Sequence, residues 1–109
     1  MMTGPHPLTP LLAPRSVAIF GASNDPERIS GRPLRYFLEA GYAGALYPIN
    51  PNRDTVQGVP AYPDLSSVPG PVEFALIAVP ASLATAALEA SIAKGVRAVV
   101  MFTAGFAET

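Results

Sequence analysis

The sequence predicts an α/β domain built on a parallel sheet with helices on both faces. Three observations predict it. Apolar runs of strand length recur along the chain: VAIFGA, ALYPIN, FALIAVP and RAVVMFTAG. Segments of helical periodicity lie between the first and second runs and between the third and fourth. The loop after the first run opens and closes on glycine where a strand should meet a helix. Strands alternating with helices of about a dozen residues imply βαβ units, and right-handed crossovers put the helices on both faces. Counting the four runs in chain order, the expected strand order is 3-2-1-4. Strands one and four would then flank the point where the winding reverses, where ligands bind in such folds.

Residues 1–14 hold four prolines and no sustained periodicity, so they read as an extension, with Leu8, Leu11 and Leu12 as candidates for packing on the domain surface. From Ser16 the pattern is regular. VAIFGA suits a strand buried on both faces. In RPLRYFLEAGY, Leu34, Phe37, Leu38 and Gly41 recur at helical spacing, with Ser30 as the expected N-cap and Gly41 as the stop. Pro33 is tolerable because it falls in the first turn. ALYPIN reads as the second strand, provided that Pro48 faces an edge or a bulge. VPAYPDLSSVPGPV is turn-rich, with a short strand over Val59 to Tyr62 and then one helical turn. FALIAVP is the clearest strand. ASLATAALEASIAKGV follows as a helix, with Ala84, Ala87, Leu88 and Ile92 along one face and Gly95 as its cap. RAVVMFTAG is the fourth strand. The chain stops at GFAET, where another helix should begin, so it reads as cut after strand four or as needing a partner to cover that side.

Composition narrows the function. The 109 residues suit one domain, and half of them are hydrophobic while only 14% are charged, which fits a folded core rather than disorder. A net charge of −1 gives no general attraction to nucleic acid or to an anionic membrane. The absence of cysteine excludes disulfides and thiolate metal sites. No apolar run approaches the roughly 20 residues of a membrane helix, and the N-terminus does not read as a secretory signal. A cytoplasmic protein is the plain expectation.

The glycine-bounded loop is the first candidate site. A helix N-terminus offers unpaired N–H groups and the positive end of the helix dipole, which stabilise phosphate. Gly21 lets the backbone turn and approach a ligand, and Gly31 does the same at the helix start. Ser23 and Asn24 can add donors, and Arg28 and Arg32 can add charge. The dinucleotide fingerprint G-x-G-x-x-G is incomplete, since only its first glycine is in place. The competing reading is a turn that binds nothing. At the end of strand two, an NAD site would place an acid on the ribose. Here INPNRD puts Asn50 at the strand terminus and Arg53 just after it. An arginine there suits a ribose phosphate, as in NADP or coenzyme A, although a solvated loop charge explains it equally.

Together, VAIFGASNDPERISGRPLRYFLEAGYAGALYPINPN, ALIAVPA and VVMFTAGFAE resemble the Rossmann-like CoA-binding domain of the acyl-CoA synthetases that form ADP or another nucleoside diphosphate. ADP-forming acetate–CoA ligases and the succinyl-CoA synthetase alpha subunit belong to that family. The resemblance covers roughly residues 14 to 109, which sets the extension over 1–14 apart from a domain over 15–109 whose C-terminal part is missing. It rests on four elements in order: G-A-S, Y-P-I-N-P, A-V-P-A and T-A-G-F. It implies coenzyme A as the ligand. It implies that Gly21, Ser23, Asn24, Asp25 and Pro26 meet the CoA phosphates, and that Asn50, Pro51 and Arg53 lie near the adenosine and its ribose phosphate. Val79, Pro80 and Ala81 would line the pantetheine path, and Phe102, Thr103 and Ala104 would lie near the thiol.

The family's chemistry runs through a phosphorylated histidine on a later domain. The single histidine here, His6, sits in the extension with nothing to position it, so no catalytic residue is expected. The resemblance therefore implies an acid–thiol ligase as the parent protein, with ATP-grasp and ligase domains in cis or as another subunit, and CoA or acyl-CoA as the small-molecule partner. Two rivals stand beside it: an NADP-binding oxidoreductase domain, and a stand-alone CoA-binding regulatory module. Among other residues, Arg35 and Glu39 suit a solvated helix pair. Ser82 reads as a cap for the helix at Leu83, and Tyr36 and Phe37 as packing residues.

Overall fold

Ser16–Phe20 (β1) is buried at all five positions, as a strand with neighbours on both sides and layers on both faces must be. The structure, a computed structural model, describes residues 15–23, 25 and 31–101. The extension over 1–14 with its leucines and His6 lies outside them, as do Asn24, Pro26, Arg28, Ser30, Phe102, Thr103 and Ala104. β1 pairs in parallel with Ala45–Ile49 (β2) on one side and with Phe74–Ile77 (β5) on the other. Ala98–Met101 (β6) pairs in parallel with β5. Between β2 and β5 the chain makes a hairpin of Thr55–Val56 (β3) and Val59–Pro60 (β4), then a 3-10 turn at Leu65–Ser67.

The alternation of side chains along β1 builds two half-cores. Val17 and Ile19 face Leu34 of helix α1 (Arg32–Glu39) and Val56 of the hairpin. Ala18 and Phe20 face Leu65, Val68 and Ala87, the last from helix α2 (Ala81–Lys94). The expected class, a parallel sheet with helices on both faces, is what the chain adopts. Leu34 is fully buried and anchors α1; burying such a side chain contributes about 1.5–3 kcal/mol.

The expected order needs one reassignment. The sheet runs β2-β1-β5-β6, so the Phe74–Ile77 strand lies beside β1 and not beyond β2. The place beyond β2 is held by a single parallel bridge from Ile49 to Tyr62. Counting that bridge as the third strand restores 3-2-1-4, with β6 added outside β5. The cause lies in Pro48. The Pro48 carbonyl accepts from the Tyr62 N–H at 2.9 Å, so the face of Pro48 that would carry an N–H points to the outer edge. The missing donor costs β1 nothing, as expected of an edge, but it denies a full ladder to any strand on the outside. The Phe74–Ile77 run, buried at all four positions, finds two neighbours only between β1 and β6.

Helix boundaries follow most of the expected signals. Pro33 falls in the first turn of α1, and α2 ends on Gly95 in the left-handed region (φ +86°). Arg35 Nε and Glu39 Oε2 pair at 3.0 Å across one helical turn. Three expectations are corrected. The N-cap of α1 is Gly31, not Ser30, and it makes no side-chain capping bond. Ser82 does not cap α2, because the helix already begins at Ala81 after Pro80. Ile92 is 69% exposed, while Ser91 is fully buried and bonds back to the Ala87 carbonyl at 2.9 Å. The buried face of α2 therefore runs Ala84, Ala87, Ser91, rotated from the apolar spacing because small residues let the helix lie close to the sheet.

The 3-10 turn is held by Asp64. Its Oδ1 accepts from Ser67 Oγ (2.7 Å), Ser66 Oγ (2.8 Å) and the Ser67 N–H (2.9 Å). The Ser67 hydroxyl first, then the Ser66 hydroxyl and the Ser67 N–H, hold this carboxyl below its usual range. A folded pKa below the unfolded value gives stability that is present above the unfolded value, about 3.9, and is lost as pH falls below it. Asp64→Asn is expected to lower the thermal midpoint at pH 7, with the difference from the parent chain shrinking at pH 3. Melting both proteins at the two pH values checks this, and a constant difference would contradict it.

Candidate functional site at the carboxyl edge of the sheet

The site begins where β1 ends. Gly21 has φ +77°, and a Cβ placed there would run into the Ala78 carbonyl and lie 2.8 Å from Val79 Cγ1. The turn thus crosses directly over the end of β5, which is tied to β1 by the Ala78 N–H donating to the Phe20 carbonyl at 3.1 Å. Ala22 is buried beneath it. Ser23 Oγ accepts from the Asp25 N–H at 3.1 Å, so the hydroxyl braces the loop and keeps its own proton to donate. Gly31 closes the loop with an ordinary φ of −93°. Its role is close approach rather than a special torsion, since a Cβ there would strike the Asp25 carbonyl and crowd that of Ser23 at 3.2 Å.

The end of β2 supplies the second wall. Asn50 Nδ2 donates to the Ala22 carbonyl at 3.1 Å, and its Oδ1 accepts from the Asn52 N–H at 2.8 Å. Its carboxamide is committed to joining the loops after β1 and β2. Arg53 is exposed just beyond. Gly21, Ala22, Ser23, Asp25, Asn50 and Arg53 line an open polar groove of about 440 Å³. A second groove of about 580 Å³ adjoins it, sharing Gly21, Ala22 and Asn50. Its walls are mainly apolar and include Leu65, Val79, Pro80, Leu83 and Ala86.

The structure brings together Gly21, Ser23, Asp25, Asn50 and Arg53 around one groove, and Pro51, Val79 and Pro80 around its neighbour. Ala81 opens α2, is exposed and lines neither. Asn24, Pro26, Phe102, Thr103 and Ala104 fall outside the described residues. The strand flanking the reversal point is β5, since β6 is one strand further from β1; Val79 and Pro80 therefore take the place expected of the strand-four end. Sequence reasoning missed Leu65, Leu83 and Ala86 as groove walls, and it missed Gln57. The Gln57 Nε2 donates to both the Ser23 and the Gly31 carbonyls, each at 2.9 Å. The signal was a polar residue before glycine between Thr55–Val56 and Val59–Pro60, two short pairs each with a β-branched valine beside the turn, which marks a two-residue hairpin turn. Its partners, 26 and 34 residues away, left no local trace.

A doubly wound parallel sheet with a glycine turn and a polar groove at its reversal point defines a Rossmann-like nucleotide-binding domain. The family model described as CoA binding domain matches residues 15–109, and the chain belongs to that family. Coenzyme A is the ligand that this membership assigns.

The chain is 42% identical over 96 residues to the ADP-forming acetate–CoA ligase II subunit alpha of Pyrococcus furiosus, covering 88% of this chain and 21% of that one. It is 37% identical to the ADP-forming 4-hydroxybutyrate–CoA ligase of Nitrosopumilus maritimus, covering 92% and 14%. Among solved structures, it matches the dinucleotide-forming acetyl-coenzyme A synthetase 1 of Ca. Korarchaeum cryptofilum, in complex with phosphate and ADP. That match has a TM-score of 0.85 at 38% identity and covers 91% of this chain and 21% of the other. The chain thus spans about a fifth or less of the curated relatives named here. Among the described residues no helix is long and apolar enough to cross a membrane, and no group of three His, Cys, Asp or Glu is placed to hold a metal.

Proposed function

We propose that this chain is the N-terminal CoA-binding domain of an acid–thiol ligase of the nucleoside-diphosphate-forming type. It would supply the coenzyme A site, while phosphoryl transfer belongs to ATP-grasp and ligase domains in cis or on another subunit. The observation that carries the site assignment is the pair of adjoining grooves, one polar and one apolar, meeting over Gly21, Ala22 and Asn50. Coenzyme A has the matching division: a phosphate-rich nucleotide end and a long, largely neutral arm. In this reading the diphosphate lies over the turn from Gly21 to Ser23, where the backbone approaches most closely and Ser23 can donate. Arg53 answers the ribose phosphate, and its charge offsets that of Asp25 in the same groove. The pantetheine arm runs along Val79, Pro80 and Leu83, where burying its methylenes is favourable. Asn50 acts by holding the Ala22 carbonyl. Phe102, Thr103 and Ala104 are proposed to approach the thiol on the strength of the motif alone.

Calorimetric titration tests the reading. Coenzyme A and desulfo-CoA are expected to bind with similar affinity, because the thiol contributes little to the phosphate and pantetheine contacts. NADP is expected to bind more weakly, since it shares a ribose phosphate but lacks the arm that fills the apolar groove. Tighter binding of NADP than of coenzyme A would overturn the assignment in favour of an oxidoreductase domain.

A further inference from the structure

We propose that Gln57 is a positioning residue that fixes the phosphate-holding turn at Ser23 against the helix start at Gly31, from outside the groove. The inference rests on the coenzyme A reading above. The Gln57 Nε2 gives its two protons to the carbonyls of Ser23 and Gly31, both at 2.9 Å. These carbonyls belong to the two glycine-bounded ends of the loop, so one side chain fixes the distance between them. A carbonyl oxygen aimed at a phosphate would repel it. Engaging both on the Gln57 amide keeps them turned to the hairpin, which does not line the polar groove.

The backbone at Gln57 supports this role. Gln57 and Gly58 occupy the two-residue turn between β3 and β4 with φ +51° and +82°, both positive. That turn favours Asn, Asp or Gly at its first position. A glutamine with positive φ is strained where a glycine is not. The two side-chain bonds offset that cost. Asparagine would suit the turn better but is one methylene too short to span both carbonyls. The hairpin is itself fixed, because Val56 beside the turn is fully buried against Val17, Ile19 and Leu34. The loop is therefore braced from a rigid element by a residue that touches no ligand.

Gln57→Gly and Gln57→Asn test the proposal in the 109-residue chain. Both substitutions relieve the turn by about as much as the lost side-chain bonds contributed, so the thermal midpoint without ligand is expected to hold. The affinity for coenzyme A is expected to fall about tenfold in each. The ratio of coenzyme A to dephospho-CoA affinity should stay at the parent value, because the diphosphate common to both ligands is what the loop holds. A parent chain that binds coenzyme A, with both variants binding within about twofold of it, would overturn the inference alone. So would an affinity loss that tracks a fall in the ligand-free midpoint, since that is general unfolding. A parent chain that does not bind coenzyme A would instead remove the underlying reading, and this inference with it.

Discussion

Gly21→Ala is expected to lower the unfolding free energy by about 2–4 kcal/mol and to abolish measurable binding of coenzyme A. Two costs add at this position. With φ at +77°, any Cβ is strained by about 1–2 kcal/mol. The added methyl also meets the Ala78 carbonyl and Val79 Cγ1. Ala78 cannot retreat, because its N–H is bonded to the Phe20 carbonyl and the residue is 3% exposed at the end of a strand with neighbours on both sides. Relief can come only by lifting the turn, which is the part proposed to grip the diphosphate. Gly95→Ala is the control: its φ is +86°, but a Cβ there meets nothing within 4 Å, so only the torsional cost of about 1–2 kcal/mol applies and binding should persist. Urea unfolding and titration of both variants separate the two cases. Equal stability losses would show that the crowding at Ala78 does not matter.

Arg53→Ala is expected to weaken coenzyme A by about 10- to 100-fold while leaving dephospho-CoA nearly unchanged. Arg53 is the one basic side chain that lines the polar groove among the described residues, and Asp25 lines the same groove. Removing the cation therefore takes away the proposed partner of the ribose phosphate, a group that dephospho-CoA lacks. Because Arg53 is exposed, the discrimination should shrink as salt is raised, whereas contacts in the apolar groove should not respond. Arg53→Lys should recover part of the loss, since it restores the charge without the planar fork. Titration of the two ligands at low and high salt checks this. An equal loss for both ligands would detach Arg53 from the ribose phosphate.

Much of the fold was legible because its signals are local. The apolar runs of β1 and β5 mark strands covered on both faces, Gly95 marks the end of α2, and Pro48 marks an edge. The strand order was read less fully, since the pairing of β5 with β1 depends on which edge of β2 lacks a donor in three dimensions. The face of α2 was misread at Ile92 for a similar reason. Hydrophobicity put Ile92 inside, but close packing on the sheet prefers Ala84, Ala87 and the self-satisfied Ser91.

The candidate site divides in the same way. The glycine turn and Arg53 could be picked out because backbone freedom and charge are properties of single residues. The bracing by Asn50 and Gln57, and the apolar groove under Leu65 and Leu83, could not. These are contacts between segments distant along the chain.

The sequence by itself determined that this is a parallel α/β domain of the CoA-binding family with a glycine-bounded loop after the first strand, because periodicity, turn residues and ordered motifs survive without coordinates. Only the tertiary structure decided which strand flanks that loop, which side chains hold it open and where the polar groove passes into the apolar one. Those features depend on distances between residues that share no local pattern, and distance is created by folding.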